Sequence, residues 1–395
     1  MTTMATRRAW NGPAFLSYGF RPFFFGAAVL AALLIALWVP WFLGAIHIPS
    51  AFSPVDWHIH ELLFGYVPAV IAGFLLTAVP NWTGRLPVVG WPLAMLFALW
   101  IAGRVLVALS GGVDPLVLAL GALAFPVALA VVIAREIVAG KNWRNLKVLA
   151  VIALIALAQA VFHYEVWRFG KAGVGYRLGI AATVMLITLI GGRIVPSFTR
   201  NWIKRENPGR EPAEFGAFDT LCMALGGVAL TGWVVSPEQA TLRFGLGLLL
   251  VLAGAAHLQR LARWAPDRTL GEALVAVLHV AYVFIPAGFI LAGLALLTDR
   301  AGLDTAAVHA WTSGGIGLMT MAVMTRATRG HSGQPLVASM GTVVVYAAIL
   351  AAALARIAVA LAPQLTMVLL PFAGVAWVLG FAGFAGLYSR MLLRR

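Results

Sequence analysis

The sequence predicts an all-α polytopic membrane protein of about twelve transmembrane helices, with both termini cytoplasmic. Three observations predict it. Of 395 residues, 62% are hydrophobic and only 11% charged, a balance foreign to soluble globular domains. Apolar runs of about twenty residues, each enough to cross a bilayer, recur along the whole chain. Lysine and arginine are shared unevenly between the loops on alternate sides of these runs.

The runs fall at roughly 22–44, 58–80, 90–110, 115–139, 146–168, 174–197, 214–236, 239–262, 272–297, 304–325, 336–361 and 365–390. Short connections join them, so a single transmembrane domain covers 1–395 with no soluble domain or long linker. The N-terminal apolar run is too long for a cleaved signal and becomes the first span. The Arg7-Arg8 pair before it therefore reads as a solvated flank rather than a twin-arginine signal.

With twelve spans, 21 of the 28 Lys/Arg residues share the side of the termini and even-numbered loops, among them Lys141, Arg144, Arg200, Lys204, Arg263 and Arg329. The other side holds four, Arg168, Lys171, Arg177 and Arg300, and Arg104, Arg243 and Arg356 lie within spans. This is the positive-inside bias. The net charge of +14 therefore encodes topology and contact with anionic lipid, not nucleic-acid binding. The single cysteine, Cys222, excludes disulfides, thiolate clusters and covalent haem attachment through C-x-x-C-H. Any metal is left to His, Glu, Met or backbone ligands.

Three even-numbered spans end alike, in "VPNWTGR" from Val79, "VPSFTRNW" from Val195 and "VMTRATRG" from Val323. The spacings of 116 and 128 residues are those expected of three four-helix repeats.

Candidate chemistry rests on the eight histidines. His58 and His60 open span 2, His163 ends span 5 and His309 begins span 10, so three spans place four imidazoles in the outer third of the membrane. His47 in the first outer loop is near the same depth. His257 and His279 lie at similar depth on the inner halves of spans 8 and 9, where they are expected to face each other across a second metal or haem site. His331 falls in a cytoplasmic loop. One intramembrane histidine usually bonds a neighbouring helix, whereas four at one depth mark a site, because ionisable groups are costly there. Neutral imidazole is also the ligand that haem iron and copper favour. At helical spacing His58 and Glu61 share a face and His60 points away. Glu61 is a candidate to orient an imidazole or to carry protons. Arg104 and Arg356, near the outer ends of spans 3 and 11, are candidates to neutralise haem propionates or to snorkel to the interface.

The stretches "GFRPFFFGA" (19–27), "WHIHELLFGY" (57–66), "IAGFLLTAVPNWTGR" (71–85), "NLKVLAVIAL" (145–154), "LIGGRIVPSFTRNW" (189–202), "HLQRLARW" (257–264), "LHVAYVFIPAG" (278–288) and "MTRATRGHSGQPL" (324–336) resemble the NnrS family along nearly the whole chain. The resemblance implies a polytopic bacterial inner-membrane protein containing haem and copper, linked to nitric oxide metabolism and nitrosative stress. A fainter likeness to haem-copper oxidases and nitric oxide reductases rests on span-2 and span-10 histidines near the outer face. The paired histidines of that superfamily's second metal are missing from spans 6 and 7.

The expectation is a non-covalent haem b between His58 or His60 and His309, with His163 holding copper or lining the place where nitric oxide binds. The chain would then bind nitric oxide or reduce it to nitrous oxide, drawing on an unidentified electron donor, with His163 and Glu61 nearest the chemistry. Two rival classes are a transporter or channel without cofactor and a membrane factor that protects or matures metal centres in other proteins. A Soret band separates the transporter from the other two. Reporter fusions after residue 395 and within 299–303 should report opposite sides of the membrane, with residue 395 cytoplasmic; a periplasmic residue 395 would overturn the depth assignments.

Overall fold

The computed structural model describes residues 10–84 and 87–394; the Arg7-Arg8 flank lies outside them. The described residues are helical, with no strand. We number the twelve helices in chain order: α1 Phe20–Phe42, α2 Pro54–Pro80, α3 Trp91–Ala108, α4 Pro115–Ala139, α5 Leu146–Phe169, α6 Val174–Glu206, α7 Ala217–Val235, α8 Ala240–Ala262, α9 Ala273–Thr298, α10 303–331, α11 Met340–Leu361 and α12 Thr366–Leu393. Eleven helices among the described residues are long and apolar enough to cross a membrane. The exception is α10, the expected tenth span. Its middle reads Ala-Trp-Thr-Ser-Gly-Gly and is buried by neighbouring helices. A helix shielded from lipid needs no apolar surface, so composition alone understates it.

Helix starts follow local chemistry. Ser53 caps α2, accepting from the Asp56 amide at 3.1 Å, and Pro54 takes the first turn, where a missing N–H costs nothing. Asp114 and Ser339 cap α4 and α11 in the same way.

The contacts gather into two compact units. The first contains the chain up to Gly179 with Ala327–Gln334 and Phe381–Arg395; the second contains Ile180–Arg326 and Pro335–Gly380. Within each unit, glycines set the closest approaches. Membrane helices gain little from hydrophobicity and associate through tight packing. In the first unit a Cβ on Gly73 would lie 2.6 Å from the Phe24 ring, and one on Gly175 would lie 2.4 Å from the Phe162 backbone nitrogen. Gly175 thus holds the start of α6 directly against α5, one residue from His163. In the second unit Gly247 and Gly293 let α8 and α9 pack as adjacent helices.

Three helices share an unusual build. In α2, α6 and α10 a short α-helical start gives way to a π-helical stretch, at Glu61–Tyr66, Ile187–Gly191 and Ala310–Leu318, before α-helix resumes. The stretches begin 126 and 123 residues apart. Both intervals are of four-helix length, as are the 116 and 128 residues between the span endings, and this favours three four-helix repeats. His60 and His309 each occupy the residue just before the stretch, where α6 has Leu186.

Gly175→Ala should lower the thermal midpoint in detergent, because the added methyl meets backbone and overpacking costs about 1–3 kcal/mol. Gly245→Ala, where a Cβ meets open space, should leave it unchanged or raise it slightly.

Candidate metal centre

The first unit brings together His60 and Glu61 of α2, Arg104 of α3, and Gln159 and His163 of α5. His60 and Gln159 are fully buried, and Glu61, Arg104 and His163 nearly so. The Nε2 atoms of His60 and His163 face each other at 3.1 Å, with rings close to perpendicular. On its other side His60 Nδ1 lies 2.9 Å from Glu61 Oε1, which also accepts from Arg104 at 2.6 Å. In the tautomer that donates from Nδ1–H to Glu61, His60 presents a lone pair at Nε2. Phe52, Phe64 and Phe162 wall the pair, with ring centroids 5.1, 5.6 and 5.4 Å from that of His60.

Local structure explains the convergence. The π-helical stretch starts at Glu61, so successive side chains fan out less than in an α-helix and Glu61 can fold back to His60. Helical spacing paired Glu61 with His58 instead. In the structure His58 is half-buried and stacks on Trp38 at 4.0 Å. The wider turn also leaves the Gly65 carbonyl to accept from Trp100 Nε1 at 2.9 Å. Gly65 is needed where it stands, because a Cβ there would lie 2.6 Å from the Arg104 guanidinium. Glu165 fixes the end of α5 by accepting from the backbone amides of Gly173, Val174 and Gly175 at 2.7–2.9 Å. Asp56 Oδ1 accepts from the Ala172 amide at 3.2 Å and ties the same loop to the start of α2.

The donors fit a metal ion of small coordination number. Metal–imidazole bonds of about 2.05 Å spanning the 3.1 Å gap subtend an angle of about 100° at the metal. These are adjacent positions on one ion. Two axial ligands of one haem stand on opposite faces and need about 4.1 Å between nitrogens by the same bond length, so this pair does not fit a shared haem. A macrocycle at His60 Nε2 would also overlap His163 and Gln159, which lie 3.1 and 3.3 Å away. Among the described residues no group of three or more His, Cys, Asp or Glu is arranged to hold a metal. Glu61 lies on the Nδ1 side of His60, where it is placed to orient the imidazole rather than to complete a triad.

The remaining candidates have partners of their own. His309 belongs to the second unit. It donates from Nδ1 to the Thr305 carbonyl at 2.8 Å, and its Nε2 accepts from Arg356 at 2.7 Å. The two arginines expected to meet propionates thus meet Glu61 and His309. His257 bonds Tyr282 Oη at 3.0 Å and stacks on Phe289, with its unpartnered Nε2 against Gly226. His279 Nε2 lies 2.8 Å from Thr199 Oγ1. That hydroxyl spends its hydrogen on the Val195 carbonyl, so His279 donates to it. His257 and His279 are therefore engaged by different helices, α9 and α6. A cavity of about 290 Å³ in the second unit is lined by Arg193, Ser197, Arg200, Asp219 and Trp264 among others, and no histidine borders it. His47 is exposed beside Trp41, and His331 ends α10, packed on Tyr18 and Phe20.

Gln159, Asp56, Glu165 and Gly65 were missed in the sequence. Gln159 had one signal, its place four residues before His163 on the same helical face.

Glu61→Gln and Arg104→Met, made singly, each leave a buried partner uncompensated and should each destabilise the protein by about 3–5 kcal/mol. The double variant should lose less than the two single losses combined, as read by thermal denaturation in detergent.

Among curated proteins none matches this chain. The model of the family described as "NnrS protein" matches residues 14–395. With its many membrane-spanning helices, the chain is a multi-pass membrane protein linked to nitric oxide, and it belongs to the NnrS family.

Proposed function

We propose that the chain is an inner-membrane metalloprotein of nitric oxide metabolism, in which His60 and His163 hold a copper ion where nitric oxide binds, relieving nitrosative stress. The observation that carries this reading is the buried pair of imidazole Nε2 atoms 3.1 Å apart, one of them oriented through Nδ1 by a carboxylate. Imidazole nitrogen suits copper among the first-row metals. The donors are neutral and the walls aromatic, so an ion of low charge costs least to bury, which favours the monovalent state. When bound, the ion supplies a coordination position for a diatomic ligand and one-electron chemistry.

The chain's own residues do the rest. Glu61 and Arg104 hold His60 in one tautomer and one orientation. Phe52, Phe64 and Phe162 exclude water, as a small apolar gas requires. The excess of Lys/Arg on the side of the termini supports insertion in a bacterial inner membrane with those termini cytoplasmic.

Copper content of the purified protein tests the reading. We expect about one copper per chain and a loss of at least tenfold in both His60→Ala and His163→Ala. Glu61→Gln should keep the ligands and weaken the metal about 10–100-fold, as loss of an orienting carboxylate does. Unchanged copper in both histidine variants would remove the site.

A further inference from the structure

His60 Nε2 offers one lone pair, and two side chains approach it. His163 Nε2 stands 3.1 Å away and Gln159 Nε2 stands 3.3 Å away. One acceptor cannot satisfy both in full, and a fully buried polar group left short costs about 1–3 kcal/mol. The crowding disappears if both imidazole lone pairs go to a metal. The Gln159 N–H that pointed at His60 is then released toward whatever else the metal holds.

The orientation of the amide decides what Gln159 offers. Its Nε2 also donates to the Ala122 carbonyl at 3.1 Å. Turning the amide over would set its oxygen against that carbonyl, two acceptors face to face. Ala122 therefore keeps the NH₂ group, and not the oxygen, on the side of the imidazole pair. Gln159 Oε1 points elsewhere and is buried without a hydrogen-bond partner.

We propose that Gln159 is the hydrogen-bond donor to the diatomic ligand held at the His60–His163 centre. One amide hydrogen is anchored on Ala122 O and the other is aimed at the ligand. Such a donor favours ligands that gather negative charge on their outer atom when bound, which describes nitric oxide on an electron-rich metal. In a buried site a single placed donor acts strongly, because the surroundings screen it little. The inference rests on the metal-centre reading, and the experiment separates the two.

The test uses the purified full chain, reduced and exposed to carbon monoxide, with copper content measured on the same samples. A donor to the outer oxygen lowers the C–O stretching frequency. In Gln159→Leu the band should move to higher frequency while copper content stays at the wild-type level. Gln159→Glu is the control for fold. As a neutral acid it keeps the shape and can give its one hydrogen to Ala122 O, leaving none for the ligand, so its band should also move up. Full copper with an unmoved band in both variants would overturn the role of Gln159 and leave the metal centre standing. Wild-type protein with no copper at His60 and His163 would overturn the metal centre, and the Gln159 inference with it.

Discussion

A carboxylate inside a bundle of apolar helices cannot stay charged unless something answers it. Glu61 is answered twice, by the Arg104 guanidinium at 2.6 Å and by His60 Nδ1–H at 2.9 Å, with all three groups nearly or fully buried. Much of the first unit follows from that meeting. Arg104 brings α3 against α2, and residue 65 must be glycine so that the guanidinium can pass. His60 loses its freedom to turn or change tautomer, so its Nε2 stays aimed at His163.

Much of this architecture was legible in the sequence. Twelve apolar runs and the cationic asymmetry gave an all-helical membrane chain, and the "HIHE" stretch marked the place where α2 carries its titratable groups. The pairing of its members was not legible. Reading the stretch at 3.6 residues per turn put Glu61 with His58; a π-helical stretch, which no propensity scale flags, put it with His60. Depth along a span put His60 and His163 at one level, and the two meet. It was silent on the rotational face of each helix, and so on which groups meet. His257 and His279 show the difference: similar depth, adjacent helices, and partners on different sides. Gln159 escaped notice because a glutamine among apolar residues looks like an ordinary interhelical contact.

The three π-helical stretches make the weak echo in the span endings more substantial. They place one widened turn in each set of four helices, at closely matched spacing. Two of the three are preceded by histidine, and in both cases an arginine of the following helix enters the same polar cluster: Arg104 through Glu61, and Arg356 directly on His309 Nε2. The three stretches thus share a build and differ in what it holds. In the first set the arginine is held by a carboxylate and the imidazole Nε2 faces His163 and Gln159. In the third the arginine takes that nitrogen itself. In the second the position is Leu186, and no titratable group stands there.

The central claim is that His60 and His163 meet on one metal ion through their Nε2 atoms. X-ray absorption at the copper edge of the purified, detergent-solubilised protein tests it most directly. The account predicts two imidazole nitrogens at about 2.0 Å, with the outer-ring scattering of histidine, and the loss of that spectrum in His163→Ala. A copper spectrum without imidazole scattering, or one unchanged in His163→Ala, would contradict it.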